Sequence, residues 1–113
     1  MQNELTWSDF EKVEMRIGTI LEVKDFPKAR NPAYQIYIDF GIEIGVKKTS
    51  AQITQKYSKE ELVGKQIVAV INFPKKQIGN FRSECLLLGS IGNEKEVVLL
   101  SSDKLVENGL RIS

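Results

Sequence analysis

The stretch YSKEELVGKQIVAVINF, residues 57–73, decides how the chain is wound. Ser58 and Glu61 stand at capping-box spacing, in which each side chain satisfies the other residue's free backbone N–H. Gly64 falls where a helix ends on a left-handed residue. The spacing predicts a helix of one or two turns. Directly after it, residues 65–73 are apolar at almost every position, the composition of a strand buried on both faces.

Towards the N terminus, three strand patterns precede that helix. Met15, Ile17, Thr19, Leu21 and Val23 alternate with Arg16, Gly18, Ile20, Glu22 and Lys24, the period of a strand with one buried face. Gly18 within that run predicts a bulge or sharp bend. DFPKARNPA, residues 25–33, is turn chemistry. After it Tyr34, Ile36, Ile38 and Phe40 alternate with Gln35, Tyr37 and Asp39, a second strand. Gly41 and Gly45 bracket a reversal into VKKTSAQI (46–53), a third. Ahead of all three, LTWSDFEKVEMR (5–16) places Ser8 and Glu11 at capping-box spacing among Trp7, Phe10 and Val13, predicting a short amphipathic helix that ends by Glu14. Towards the C terminus, ECLLLGS (84–90) and EKEVVLLS (94–101) read as strands around the turn IGNE, and Asn108-Gly109 is a hairpin signal before Leu110 and Ile112.

Three strands, a short helix and two strands is the order of a five-stranded OB barrel, whose helix lies between its third and fourth strands. The expected fold is all-β with short helices, one domain over residues 1–113, with an N-terminal helical extension to about residue 14 and a C-terminal strand extension from about residue 95.

Lysine and arginine total 16 against 15 aspartates and glutamates, so the global field is weak and polyanion binding must come from local clusters. Histidine is absent, which excludes Ser-His-Asp and Cys-His nucleophile activation and removes the commonest metal ligand. Cys85 is the only cysteine. It permits neither an intrachain disulfide nor a zinc cluster, reads as a small core residue, and makes a reducing cytoplasm the expected compartment. No basic-apolar leader opens the chain, and its apolar runs fall far short of the ~20 residues of a membrane span; a cytosolic protein without membrane insertion is expected. Walker, Rossmann and EF-hand patterns are missing. Asp25, Asp39 and Asp103 lack a pairing suited to acid-base work, and Gly89 and Gly92 make a GxxG outside the helical setting of a KH loop. The expectation is a non-enzyme with no cofactor and no metal.

OB barrels bind ligands on strands two and three and through the loops joining strands one to two and four to five. Here those loops are DFPKARNPA and PKKQIGNFRSE (74–84). The second spends far more chain than a hairpin needs. Lys75 and Lys76 follow Pro74, and two readings stand: phosphate contacts, or solvated gatekeepers at a strand end. Arg82 beside Phe81 joins a guanidinium to an aromatic, the combination that grips phosphate and stacks on an unpaired base. Lys47 and Lys48 extend the patch if they face the same way. Asn72, Gln77 and Ser83 carry the donors and acceptors that read base edges, or else close turns. Glu84 is repulsive to phosphate unless it pairs with Arg82 or a lysine, or accepts from a base amine. A competing reading has Phe73 and Phe81 forming an apolar pocket for peptides.

DFEKVEMRIGTI (9–20), IDFG (38–41), TSAQIT (49–54), EELVGKQIVAVINFP (60–74) and FRSECLLLG (81–89) together resemble the tRNA-binding domain family, most closely its CsaA branch of small export-related chaperones. The resemblance implies an OB fold, a two-fold homodimer, recognition of tRNA by shape and no catalysis. For the CsaA branch it also implies binding of unfolded preproteins or peptides in an apolar pocket. Asn72, Ser83 and Glu84 fall on polar positions of the family signature, residues 75–78 on its variable basic loop, and Ser50 on a serine of its third strand. Cys85-Leu86 departs from the Gly-Met of many relatives. The RNA-binding set expected is Lys47, Lys48, Ser50, Asn72, Lys75, Lys76, Gln77, Arg82, Ser83 and Glu84. Apolar Leu5, Trp7 and Phe10 at one end, with Val106, Leu110 and Ile112 at the other, are what a two-fold contact would bury, or else they cap the barrel of a monomer.

Overall fold

In the computed structural model, which describes residues 3–113, the capping box forms as the spacing requires. Ser58 Oγ accepts from the Glu61 N–H at 3.3 Å and the Glu61 carboxylate accepts from the Ser58 N–H at 2.7 Å. They open a single turn, α2 (Lys59–Leu62), left through Gly64 at φ +91°. The Gly64 N–H donates to the carbonyl of Ile20, whose own N–H donates to the carbonyl of Lys65. The exit of α2 is thereby stitched to β1 (Met15–Asp25). Leu62 is fully buried, a contribution of roughly 1.5–3 kcal/mol, and plugs the barrel.

The first strand is shared. Its N-terminal half pairs antiparallel with β4 (Gln66–Val70), its C-terminal half with β2 (Tyr34–Asp39), and β3 (Val46–Ala51) lies beyond β2. With β7 (Leu86–Leu87) on the far side of β4, the antiparallel order is β3-β2-β1-β4-β7. Ile67 to Val70 are buried without alternation, as that apolar stretch predicts. The bulge lies not at Gly18 but at Leu21, where the register skips between Ile20 and Glu22. The extra residue reverses the alternation, so Ile20 and Val23, three apart, both face the core while Leu21 is half exposed. Gly18 answers a different need: a Cβ there would lie 2.6 Å from Ile38 and 2.8 Å from the Phe40 ring.

The barrel nearly closes between β3 and residues 83–85. The Lys48 N–H donates to Glu84 Oε1 at 3.0 Å, the Glu84 N–H to the Lys48 carbonyl at 2.8 Å, and the Ser50 N–H to Ser83 Oγ at 3.0 Å. Thr49 Oγ1 donates to the Cys85 carbonyl at 2.7 Å. Inside sits one core of Ile20, Ile36, Ile38, Phe40, Ile53, Leu62, Ile67, Ala69 and Cys85. Burial pushes the Cys85 thiol up to about 12, against a smaller opposing effect of the Lys47 charge.

Both extensions are present, apart from the first two residues of the N-terminal one, which lie outside the described region. In α1 (Trp7–Glu11) the cap is Thr6, whose Oγ1 accepts from the Asp9 N–H at 3.0 Å. The expected Ser8 cap is displaced because Thr6, two residues earlier, offers the same hydroxyl. The tail does not form a hairpin at Asn108-Gly109. Asn108 Oδ1 accepts from Thr19 Oγ1 and Gln66 Nε2, and the chain then runs back along the part of β1 that β2 leaves free. There the Gly109 N–H reaches the Ile17 carbonyl, and the Ile112 N–H that of Met15.

The loop after β4 holds structure the sequence did not announce. It is a hairpin of β5 (Lys76–Ile78) and β6 (Phe81–Ser83). Past β7, β8 (Gly89–Ile91) and β9 (Val97–Leu99) pair across the turn that was expected there. Among the described residues no helix is long and apolar enough to cross a membrane.

Candidate nucleic-acid interface

The β5–β6 register, Lys76 opposite Ser83, Gln77 opposite Arg82 and Ile78 opposite Phe81, sorts the loop by face, because neighbouring strand residues point oppositely. Gln77 and Arg82 share one face, with Arg82 Nε 3.5 Å from Gln77 Oε1. Lys76, Ile78, Phe81 and Ser83 share the other. The turn is Gly79-Asn80, with Gly79 at φ +61°, the arrangement of a tight type II′ reversal.

Phe81 is buried, which removes it as a stacking platform and as a peptide contact. Its ring lies 5.4 Å from that of Phe26 and the two, with Ala33, form a second small core, joined by Tyr37, Ile78 and Ala29. Lys48 Nζ sits 5.0 Å over the Phe81 ring, a cation–π contact. The lysine pair on β3 divides. Lys48 and Ser50 oppose Tyr37 and Gln35 on the outer face, while Lys47 and Thr49 oppose Ile38 and Ile36, which point into the core. Only Lys48 therefore extends the outer patch. Tyr37 joins that outer face, as its place in the alternation of the second strand implies, and Lys24 Nζ lies 5.2 Å from its ring.

The polar signature residues are held by main chain. Glu84 and Ser83 close the barrel on β3, and Glu84 Oε2 lies 3.8 Å from Lys75 Nζ. Asn72 Oδ1 accepts from the Glu14 N–H at 3.0 Å, and its Nδ2 donates to the Lys12 carbonyl at 2.6 Å, so this amide clasps the end of α1. That leaves Lys76, Arg82 and Lys48 without salt-bridge partners among the described residues, while Glu22, Asp25 and Glu84 pair with Lys24, Lys59 and Lys75. Between β3 and the hairpin runs an open groove of about 510 Å³. Phe73, Leu86 and Leu99 supply apolar wall, Ser50 and Ser83 hydroxyls, and Lys76 its charge; Phe73 is 56% exposed. Among the described residues no cluster of His, Cys, Asp or Glu is arranged to hold a metal.

Comparison with known proteins points the same way. Residues 15–111 match the family described as "Putative tRNA binding domain". The chain is 45% identical to the chaperone CsaA of Bacillus anthracis, with a TM-score of 0.92 over 97% of this chain and 99% of that one. It is 50% identical to the CsaA chaperone of Picrophilus torridus, with a TM-score of 0.91 over 97% and 100%. Methionine-tRNA ligase of Nanoarchaeum equitans is 36% identical over 108 residues, which are 96% of this chain but 13% of that enzyme. This chain thus spans a small part of such ligases. With the barrel, its two-sided loop and a family match over nearly all of its length, the chain belongs to the tRNA-binding domain family.

Proposed function

We propose that the chain binds tRNA by shape and phosphate contacts, without turnover. The observation that carries this is the charge balance around the hairpin: the nearby carboxylates are engaged, whereas Lys76, Arg82 and Lys48 are unpaired among the described residues. They are the phosphate contacts, and Ser50 and Gln77 add directional hydrogen bonds. Neutralising two phosphate contacts releases fewer counterions, so Lys76→Ala with Arg82→Ala lowers the log–log salt slope of bulk tRNA binding by about 1.4–1.8. An unchanged slope and affinity would remove this site.

The groove favours a second reading, that extended apolar peptides or unfolded preproteins bind against Phe73, in keeping with the name of the CsaA structures. Peptide affinity would then survive high salt, where tRNA affinity collapses; no peptide binding at any ionic strength ends this reading. We also infer a homodimer, since Leu5, Trp7 and Leu105 are each more than two-thirds exposed and a two-fold contact would cover such surface. A monomer mass at working concentration would refute it.

A further inference from the structure

We propose that residues 26–33 and the β5–β6 hairpin form one preassembled phosphate-binding shelf, on which Lys28 and Arg30 contact the RNA backbone beside Arg82 and Lys48. This rests on the tRNA reading and extends it to a loop for which no residue has been assigned. The two ligand loops of an OB barrel come from distant parts of the chain and need not touch. Here they are fused: Phe26 and Ala33 come from one, Phe81 from the other, and together they make a core separate from that of the barrel.

The sequence of the first loop follows from that fusion. The Ala29 N–H donates to the Phe26 carbonyl at 3.1 Å, turning the chain so that Ala29 packs on the small core. Its neighbours Lys28 and Arg30 are exposed. Neither has a salt-bridge partner among the described residues, because Asp25, the carboxylate nearest in sequence, is bound 2.9 Å from Lys59 Nζ. The hydrogen bond and charge of Asp25 in turn raise the Lys59 pKa. From the strand side Lys48 stands over Phe81, and Lys24 stands over Tyr37, which packs on the same cluster. Cations from several segments are thus arrayed around one apolar plug before any ligand arrives. Less ordering remains to oppose binding than for loops that move independently. Phe81 is the positioning residue of this shelf.

Charge and positioning leave different marks on salt-titrated binding of bulk tRNA to the full chain. Lys28→Ala with Arg30→Ala touches no core residue and is expected to lower the salt slope by about 1.6, weakening binding at 0.1 M roughly 40-fold relative to that at 1 M. Phe81→Ala keeps every cation. It is expected to weaken binding at all salt concentrations with the slope unchanged, measured where circular dichroism shows the variant folded; Phe81→Leu, which keeps most of the packing, restores most of the affinity. If Phe81→Ala does not fold, the Phe81→Leu and charge variants still decide. A Lys28→Ala, Arg30→Ala protein that binds like the wild type, while Lys76→Ala with Arg82→Ala weakens binding, overturns the shelf and spares the tRNA reading. A wild-type protein with no salt-dependent tRNA binding overturns both.

Discussion

The barrel core and the small core under the hairpin are built from the same kinds of side chain, yet they do different work. Nine buried residues drawn from the strands, α2 and the segments that join them fill the first, and each is enclosed on all sides. Three fill the second, under a two-stranded ribbon too small to stand alone in water. The first core makes the fold; the second fixes where cations stand relative to it. A cavity in each therefore has a different expected outcome. Ile38→Ala, at a fully buried position, costs about 2–5 kcal/mol, a large fraction of the 5–15 kcal/mol that holds a domain together. Denaturant unfolding checks this, and a loss under about 1 kcal/mol breaks the contrast. For Phe81→Ala the expected loss is about 2 kcal/mol, less than the 3–5 kcal/mol of a large aromatic core site, because the hairpin can lift away and let water in. Its larger consequence is for binding.

How much of this could be read beforehand differs between the same two regions. The capping box at Ser58 and Glu61, the Gly64 exit and the alternation of the second strand are local signals that stand as the sequence wrote them; the apolar run of residues 65–73 is a strand only over Gln66–Val70, and Phe73 beyond it is exposed. The hairpin is hard to read because, although Gly79-Asn80 is a turn signal of the type II′ kind, its flanks carry Lys76, Gln77 and Arg82 instead of alternating apolar residues. Phe81 looked like a binding aromatic because its partner, Phe26, lies in a different loop. The bulge moved from Gly18 to Leu21 because the register of β1 is set by β2 and β4 together. Glu84 and Asn72 stood out as polar, but the main-chain groups they satisfy lie on β3 and at the end of α1, out of reach of any local rule.

Asn72 sharpens the division between building and binding. Its two hydrogen bonds hold the N-terminal extension to the end of β4, and Asn72→Ala leaves two main-chain groups to water, a cost of about 1–2 kcal/mol. Amide exchange should quicken in residues 7–14 while the barrel amides keep their protection. tRNA affinity should stay within twofold of the wild type. A selective loss of tRNA binding with α1 still protected would instead make Asn72 a reader of RNA.

The smallest expected effect belongs to Cys85, the residue where the closing segment enters the barrel core. Burial keeps its thiol protonated to about 12, whereas an unfolded chain releases that proton near 9. Since the folded state holds the proton more tightly, this contribution to stability is complete below pH 9 and declines as pH rises further, by about 1 kcal/mol at pH 10. Lysines and tyrosines titrate in the same range, so the quantity to measure is the difference between wild type and Cys85→Ala, which retains a small apolar group there. That difference should be flat from pH 6 to 8 and turn against the wild type above 9. In the native state the thiol should also resist alkylation at pH 8 until denaturant opens the barrel, because the reactive thiolate is nearly absent and the sulfur is enclosed. Alkylation of the native protein at the unfolded rate would mean that the seam between β3 and residues 83–85 opens readily, and the barrel would then be as loosely held as the hairpin beside it.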